Sequence, residues 1–486
     1  MPTEVELKLE LDSPAADFLE ASPLLEGKTS RADQRAIYFD TADHLLFRHG
    51  LSLRIRRTGR KRIQTIKADG GASAGLFDRR EWEMPVTSDA PVPDDRSPIP
   101  ALLAEAGASV GPIFEVRVQR RSGLIEQEDA RIELVVDRGA IMVGERQAPV
   151  CEIELELKSG APQAMFDLAR RIDAIVPVRL GALSKSERGY RLLEPASRSF
   201  KAEPVTLDPA MTTAQAFQTI AHNCLRHYRL NEALLLSARE PAALHQARVA
   251  IRRLRSAFSI FKALFADPQA AHFRGELKWL AALLGGARDL DVIGEKMMAQ
   301  DALHDRIETA RGLAYDAVEA ALAAERVRAL MLDLAQWLAI GGWLTAPETT
   351  ANRTMPIEDF AGHTLSRLRR RVKKDGRHIE RLEDEARHEV RKDAKKLRYT
   401  TEFMGALFRE KPQRRRQRKF LSALEGLQDR LGALNDLATM PNVLSDLGLS
   451  PDEEARGMAG LDRKPGLLAG AARAHDALIA ARKFWA

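Results

Sequence analysis

From the N-terminus to about residue 190, apolar and charged positions alternate by twos. Val5, Leu7, Leu9 and Leu11 interleave with Glu4, Glu6, Lys8 and Glu10. Successive side chains of a pleated strand point to opposite sides, so the pattern predicts a strand with one apolar and one charged face. The alternation returns at 51–56, where Arg54 and Arg56 share a face, at 132–137 with Glu133 and Asp137, and at 151–157 with Glu152, Glu154 and Glu156. Antiparallel β structure with helical insertions is predicted for this half.

Between Glu194 and Pro209, turn formers and charges follow neither period, which marks a connector. Beyond it, apolar residues recur every three or four positions in a background rich in Ala, Leu, Arg and Glu, and a helical bundle is predicted. This half is duplicated. The segment from His245 to Arg255 aligns without a gap with that from His388 to Arg398, at an offset of 143 residues. Downstream, Leu284 to Leu290 answers Leu431 to Leu437, and upstream His222 answers His363. The expected class is α+β multidomain: a β domain over 1–196 and an all-α domain over 207–486, with one repeat over 207–345 and a second over 355–486.

A chain of 486 residues is too long for one small module and predicts about three domain-sized units. Its 45% hydrophobic and 30% charged residues suffice for several cores. No run approaches the roughly 20 apolar residues of a membrane span, and the acidic, alternating start is unlike a secretory leader. A cytoplasmic protein without a membrane partner is expected. Cys151 and Cys224 read as two small buried hydrophobes, not as a disulfide or a metal cluster. Lys and Arg number 75 against 69 Asp and Glu, a net charge of only +6, so local segregation of sign says more than the total.

On any single strand a charged face is ordinarily a solvated one. Here several separate segments contribute acids or bases with few neutral polar residues: Glu4, Glu6 and Lys8; Arg54 and Arg56; Lys67; Glu81 and Glu83; Glu133 and Asp137; Glu152, Glu154 and Glu156; Lys185 and Arg188. A closed barrel with a charged interior would gather them. Such an interior is costly unless its charges pair with each other or with a ligand. Mg²⁺ or Mn²⁺ with a phosphate meets both needs, since hard cations take carboxylate oxygen and bridge to phosphates, while Arg and Lys take the remaining oxygens.

The ordered motifs resemble the CYTH, or triphosphate tunnel metalloenzyme, superfamily over about residues 1 to 195. Glu4-Val-Glu-Leu-Lys8 is similar to its ExExK signature, and Tyr38-Phe-Asp40-Thr41, Leu53-Arg54-Ile55-Arg56, Lys67, Arg80-Glu81-Trp-Glu83, Glu152-Ile-Glu154-Leu-Glu156 and Ser184-Lys185-Ser-Glu-Arg188-Gly189 follow in order. The resemblance implies an eight-stranded tunnel that binds a triphosphate. Glu4, Glu6, Glu152 and Glu154 would hold metal, and Lys8, Arg54, Arg56, Lys67, Lys185 and Arg188 would grip the phosphates. Glu4, Glu6, Lys8 and Lys185 would be the catalytic set. One metal would neutralise phosphate oxygens while a second, held by the glutamates, orients and acidifies a water for in-line attack. Strand parity around 114–120 leaves either Arg117 or Arg120 facing inward, Arg117 being preferred, and leaves Glu81 and Glu83 open between metal-side acids and partners of the bases.

In the helical half, His245, Arg248, Arg252 and Arg255 are spaced to share one stripe of a helix, and His388, Arg391, Lys395 and Arg398 repeat it. Like charges at these spacings cost a few tenths of a kcal/mol per pair, which an anionic partner explains better than helix stability. The alternative is a solvated face with salt bridges to Asp289 and Asp436. The region resembles the CHAD domain over about 207 to 486, with His222, His245, His363 and His388 each within four residues of Arg or Lys. That resemblance implies two four-helix subunits around a basic channel that binds inorganic polyphosphate through Arg248, Arg252, Arg255, Arg391, Lys395 and Arg398. Nucleic acid is disfavoured, because 6% aromatic content includes no base-stacking repeat.

The expected function is metal-dependent hydrolysis of inorganic triphosphate to pyrophosphate and phosphate, with the helical domain tethering the enzyme to polyphosphate or its granules. The alternatives are a non-catalytic polyphosphate scaffold and a tunnel enzyme for an organic triphosphate, as adenylate cyclase or as thiamine or nucleoside triphosphatase.

Overall fold

The computed structural model describes residues 4–27, 29–68, 76–127, 129–295, 302–446 and 463–485. Its strands are β1 (Glu4–Glu10), β2 (Thr29–Asp40), β3 (Leu51–Thr58), β4 (Lys61–Ala68), β5 (Leu76–Arg79), β6 (Glu81–Pro85), β7 (Gly111–Gln127), β8 (Ala130–Val143), β9 (Arg146–Ser159) and β10 (Arg179–Leu180). They pair in the order β10-β1-β9-β8-β7-β2-β3-β4-β6. β5 and β6 are one run broken at Arg80: β6 pairs antiparallel with β4, and β5 with β1. The two ends of the sheet therefore meet. β1, β9, β8, β7, β2, β3, β4 and the broken β5/β6 strand close an antiparallel barrel of eight staves, and closure removes the exposed edge that an open sheet would leave.

The inner face of the barrel changes character along each strand. At one end Ala36, Tyr38, Phe114, Val116, Val118, Ile141, Val150 and Tyr190 form an apolar plug, with Tyr38 stacked on Phe114 at 4.6 Å between ring centroids. Two residues further on, the same faces of β7, β8 and β9 carry Arg120, Asp137 and Glu152, which lie in register with one another. Outside, Phe39, Leu53, Ile55, Ile66 and Trp82 pack with Ile99 of the helix Ile99–Ala106. Each such side chain contributes about 1.5–3 kcal/mol on full burial, so the barrel wall and the plug set the frame on which the charged half rests.

The chain divides into two compact units. The first joins Met1–Lys201 with Leu225–Ala247 and Glu319–Gly341; the second comprises Ala202–Cys224, Arg248–Val318 and Gly342–Ala486. The barrel's unit thus includes two helical stretches from beyond the connector. The second of them is fastened by Arg170 to Asp333 at 2.6 Å, Arg328 to Asp173 at 2.7 Å and Gln336 to Gln163 at 2.6 Å.

The helical half has long helices at Thr213–Ala238, Pro241–Ile260, Pro268–Gly294, Ala302–Ala323 and Glu325–Ile340, then at Ile357–Asp375, Asp384–Met404, Lys411–Asp446 and Lys464–Ala480. The first four answer the last four in order. Among the described residues, Glu325–Ile340 is additional to four long helices per repeat. In the second unit Leu365, Val372, Leu397, Phe420, Leu424, Leu427 and Phe484 are buried in one core. No single helix among the described residues is long and apolar enough to cross a membrane.

Candidate active site

Strand register assembles the charged interior. β1 sets Lys8 opposite Glu154 and Glu6 opposite Glu156 of β9. β8 sets Asp137 opposite Glu152 and Glu133 opposite Glu156. Arg54 of β3 lies between Tyr38 of β2 and Thr65 of β4, and Lys67 of β4 faces Glu81 of β6. Two further cations arrive from the helix Lys185–Leu193. It starts at Ser184, whose side chain accepts from the Glu187 amide while Glu187 accepts from the Ser184 amide, a reciprocal cap that fixes the first turn. A Cβ on Gly189 would stand 2.2 Å from the Phe114 ring, so glycine is what lets this helix sit down on the plug and deliver Lys185.

The Lys185 ammonium is 2.5 Å from Glu152, 2.8 Å from Glu154 and 2.7 Å from Asp137. Lys8 is 3.0 Å from Glu152, 3.2 Å from Glu154 and 3.8 Å from Glu6. Arg120 reaches Asp137 at 2.5 Å and Glu154 at 2.9 Å, and Arg188 reaches Glu152 at 3.4 Å. Burial alone would raise the Glu154 carboxyl, but Lys185, Lys8 and Arg120 hold it well below the usual carboxylate range. Glu152 and Asp137 are lowered against burial in the same way, Lys185 acting most strongly on both. Burial opposes the charge on Lys185 too, yet Asp137, Glu152 and Glu154 raise it well above its ordinary value. Asp137, Glu152, Glu154 and Lys185 are therefore ionised at neutral pH.

Beside this cluster opens a cavity of about 970 Å³ lined by Arg54, Arg56, Lys67, Arg96, Arg120 and Lys158 together with Glu6, Glu81, Glu83, Glu133, Glu154 and Glu156. Lys67 pairs with Glu81 at 3.1 Å, Arg56 with Glu83 at 3.2 Å, and Lys158 with Glu156 at 2.5 Å. Burial and the neighbouring Arg54 push the Arg56 guanidinium below its ordinary value. A bound anion would relieve that repulsion. A smaller cavity of about 50 Å³ reaches Lys8, Lys185, Tyr38 and Phe47.

Of the residues expected from the sequence, Glu6, Lys8, Arg54, Arg56, Lys67, Glu152, Glu154, Lys185 and Arg188 all carry side chains on this interior or at its wall. The Glu4 side chain lies outside the described residues. Glu81 and Glu83 are partners of basic residues. Arg117 is a correction: it points away from the cavity, is 62% exposed and pairs with Glu115. The parity of β7 is set by Phe114, Val116 and Val118, which belong to the plug. Arg120 continues that face, so Arg120 is the inward residue.

Asp137 was not among the expected metal ligands, yet one oxygen each of Asp137, Glu152 and Glu154 lies within 4.8 Å of the others. Its signal was present in the shared face of Glu133 and Asp137 on β8. All three acids contact the Lys185 ammonium, and their oxygens are the donor type that a hard divalent cation takes.

In the second unit, Arg248 pairs with Asp289 at 3.1 Å and Arg252 donates to Tyr399 Oη at 2.7 Å. Burial, then Arg391, Arg252 and Arg248, push the Lys395 ammonium down to about 7, with Asp436 opposing. Four cations from equivalent positions of the two repeats thus converge, with Asp289 and Asp436 also at equivalent positions. Arg398 instead turns to Glu402 at 2.7 Å, and Arg255 is exposed. His363 and His388 are exposed, His388 lying 2.7 Å from Asn435 Oδ1. Burial pushes His222 down to about 4. His245 is exposed and falls in the first unit.

Comparison with known proteins places these features. Residues 2–190 match the CYTH domain family and residues 219–445 the CHAD domain family. An inorganic triphosphatase of Haemophilus influenzae is 32% identical over 203 residues, which cover 40% of this chain and 55% of that protein. The chain therefore spans about half the length of that relative. An uncharacterized protein of Mycobacterium tuberculosis is 28% identical over 406 residues, 76% of either chain. The crystal structure of the CHAD domain from the plant Ricinus communis superposes with a TM-score of 0.49 at 27% identity, covering 58% of this chain and 97% of that one.

Proposed function

We propose that this chain, which carries a CYTH domain followed by a CHAD domain, is a metal-dependent hydrolase that cleaves inorganic triphosphate to pyrophosphate and phosphate. The observation that carries the reading is the pairing of a basic cavity wall, Arg54, Arg56, Lys67 and Arg120, with the acidic set Asp137, Glu152 and Glu154 in one barrel. The triphosphatase relative aligned with this chain supports the same reaction.

Glu6, Asp137, Glu152 and Glu154 would hold Mg²⁺ or Mn²⁺, which when bound neutralises phosphate oxygens and lowers the pKa of a coordinated water. The chain's own residues then do the following. Arg54, Arg56, Lys67 and Arg120 bind the phosphate chain and hold it in line. Lys8 and Lys185 are raised above their ordinary values by the surrounding carboxylates, against burial. They therefore act as ammonium donors that stabilise charge on the phosphoryl and departing oxygens, and not as bases. Glu6 borders both cavities and orients the attacking water.

The helical domain, about 207–486, binds inorganic polyphosphate at the Arg248, Arg252, Arg391 and Lys395 cluster, and a cytoplasmic enzyme tethered to polyphosphate follows. The test is phosphate release by the full chain from inorganic triphosphate, ATP, thiamine triphosphate and long-chain polyphosphate, each with Mg²⁺ or Mn²⁺, and again after chelation. Preference for inorganic triphosphate that disappears on chelation and in Glu154→Gln is expected. Turnover that survives Glu154→Gln sinks the site, and release only from an organic triphosphate sinks the substrate.

A further inference from the structure

We propose that Arg226 is a positioning residue for Lys185: its guanidinium holds the turn 182–187 so that the Lys185 ammonium stays among its carboxylates. The inference rests on the triphosphatase reading for its catalytic consequence. Arg226 lies on the helix Thr213–Ala238, in the stretch Leu225–Ala247 that belongs to the barrel's own compact unit, and it is only 5% exposed. It donates to the carbonyl of Ala182 and to Oε1 of Glu187.

Those two acceptors flank the point where the Lys185 helix begins. The other oxygen of Glu187 accepts from the Ser184 amide at 2.8 Å and from Ser184 Oγ at 3.0 Å. One guanidinium therefore grips both the chain leading into the cap and the carboxylate that makes it. One turn along the same helix face, Arg229 donates to the carbonyl of Leu180 at 2.9 Å, in the strand that pairs with the β1 segment carrying Lys8. A reciprocal Ser–Glu cap starts a helix without such help, and burying a guanidinium is costly unless every donor is used. What the buried arginine adds is a fixed position for the first residue of the helix, and the first residue is Lys185.

The reason is catalytic precision. A group misplaced by about 1 Å in a site that works by alignment loses roughly a hundredfold in rate. Arg226 sits in the helical half, on a helix with no charge alternation to mark it.

The test uses the full chain. Arg226→Gln is expected to lower kcat for inorganic triphosphate roughly 10- to 100-fold with KM within about threefold. Amide exchange at Ser184–Glu187 is expected to speed up at least about tenfold. Arg226→Lys keeps the charge and one of the two contacts, and is expected to fall between wild type and Arg226→Gln in both readouts. It carries the test alone if Arg226→Gln does not fold. Wild-type kcat in a folded variant overturns the inference, and so does a kcat loss that only matches the unfolded fraction while exchange at Ser184–Glu187 is unchanged. Absence of turnover in the wild type would instead overturn the triphosphatase reading, and the exchange measurement would still decide the role of Arg226.

Discussion

The Nζ of Lys185 stands 2.5 Å from Oε1 of Glu152, with side-chain exposures of 9% and 0%. An ion pair so enclosed depends on both partners, because removing Lys185 takes the nearest cation from the buried Glu152 and leaves it only Lys8 and Arg188. Lys185→Met is expected to lower the unfolding free energy by about 3–5 kcal/mol at neutral pH, read as a drop in urea midpoint. Asp137, Glu152 and Glu154 then lack the cation they surround, so added Mn²⁺ should raise the midpoint of the variant more than that of the wild type. Equal responses would argue against a hard-cation site at these three acids.

The same cluster sets the pH range of stability. Asp137, Glu152 and Glu154 are held below their ordinary values, so their contribution is present above the unfolded carboxylate range and is lost as pH falls through the folded values. Lys8 and Lys185 are raised, so theirs is fully present below the unfolded lysine value and is lost only as pH climbs past the folded one. The contribution of this cluster, read as the difference in unfolding free energy between wild type and Lys185→Met, should therefore be flat from about pH 5 to 10 and decline below about pH 4. A decline that begins near pH 6 would mean that these carboxylates are not what titrates.

Arg120 and Arg117 separate the inner from the outer face of β7. Arg120→Ala is expected to raise the KM for inorganic triphosphate at least about tenfold, since it removes a charge-assisted donor worth about 1.5–3 kcal/mol from the cavity wall. Arg117→Ala, which breaks only an exposed pair with Glu115, should leave KM and kcat within about twofold. Initial rates over a range of triphosphate concentrations distinguish them; the reverse outcome would mean that the strand is read in the wrong parity.

That pair also shows what could be read from the chain. Alternation of charge and apolar residues is a period of two, and where a strand alternates cleanly, as in β1 and β9, the inward acids Glu6, Glu152 and Glu154 and the inward base Lys8 could be read directly. β7 does not alternate cleanly: Arg117, Arg120 and Arg121 occupy both faces, and only the plug made by Phe114, Val116 and Val118 with other strands decides between them. The duplicated helix stripe was equally plain, and Arg248, Arg252, Arg391 and Lys395 do converge. At its Arg398 end the stripe meets Glu402, four residues on, which pairs with that side chain. Asp137 shares the charged face of β8 with Glu133, but its partners Arg120 and Lys185, like those of Arg226, lie more than fifteen residues away, which no local period reports.

Gly189 has a packing role that its place in a helix conceals. A methyl group there would meet the Phe114 ring at 2.2 Å, and that ring is held by Tyr38 and Tyr190. Overpacking of this kind costs about 1–3 kcal/mol. Gly189→Ala is therefore expected to lower the thermal midpoint and, by lifting the helix start, to cut kcat more than it raises KM. Wild-type kinetics in a stably folded Gly189→Ala would show that the helix does not need its close approach.

The basic cluster of the second unit makes a prediction about polyphosphate. Lys395 is pushed down to about 7 by burial and then by Arg391, Arg252 and Arg248, while the unfolded chain keeps an ordinary lysine. Between about pH 7 and 10.5 the unfolded state therefore holds a proton that the folded state lacks, and this residue makes stability rise with pH across that window. A bound polyanion acts the other way, because it favours the charged amine. Binding should take up a proton, and affinity should increase as pH falls from about 8 to 6, by up to about tenfold per pH unit if a whole proton is taken up. Lys395→Arg stays charged throughout, so its affinity should be nearly flat with pH, while Lys395→Gln should be weak at every pH. Titration calorimetry with polyphosphate in buffers of different ionisation enthalpy measures the proton uptake directly. The slope persisting in Lys395→Arg would assign it to the histidines instead and remove Lys395 from the site.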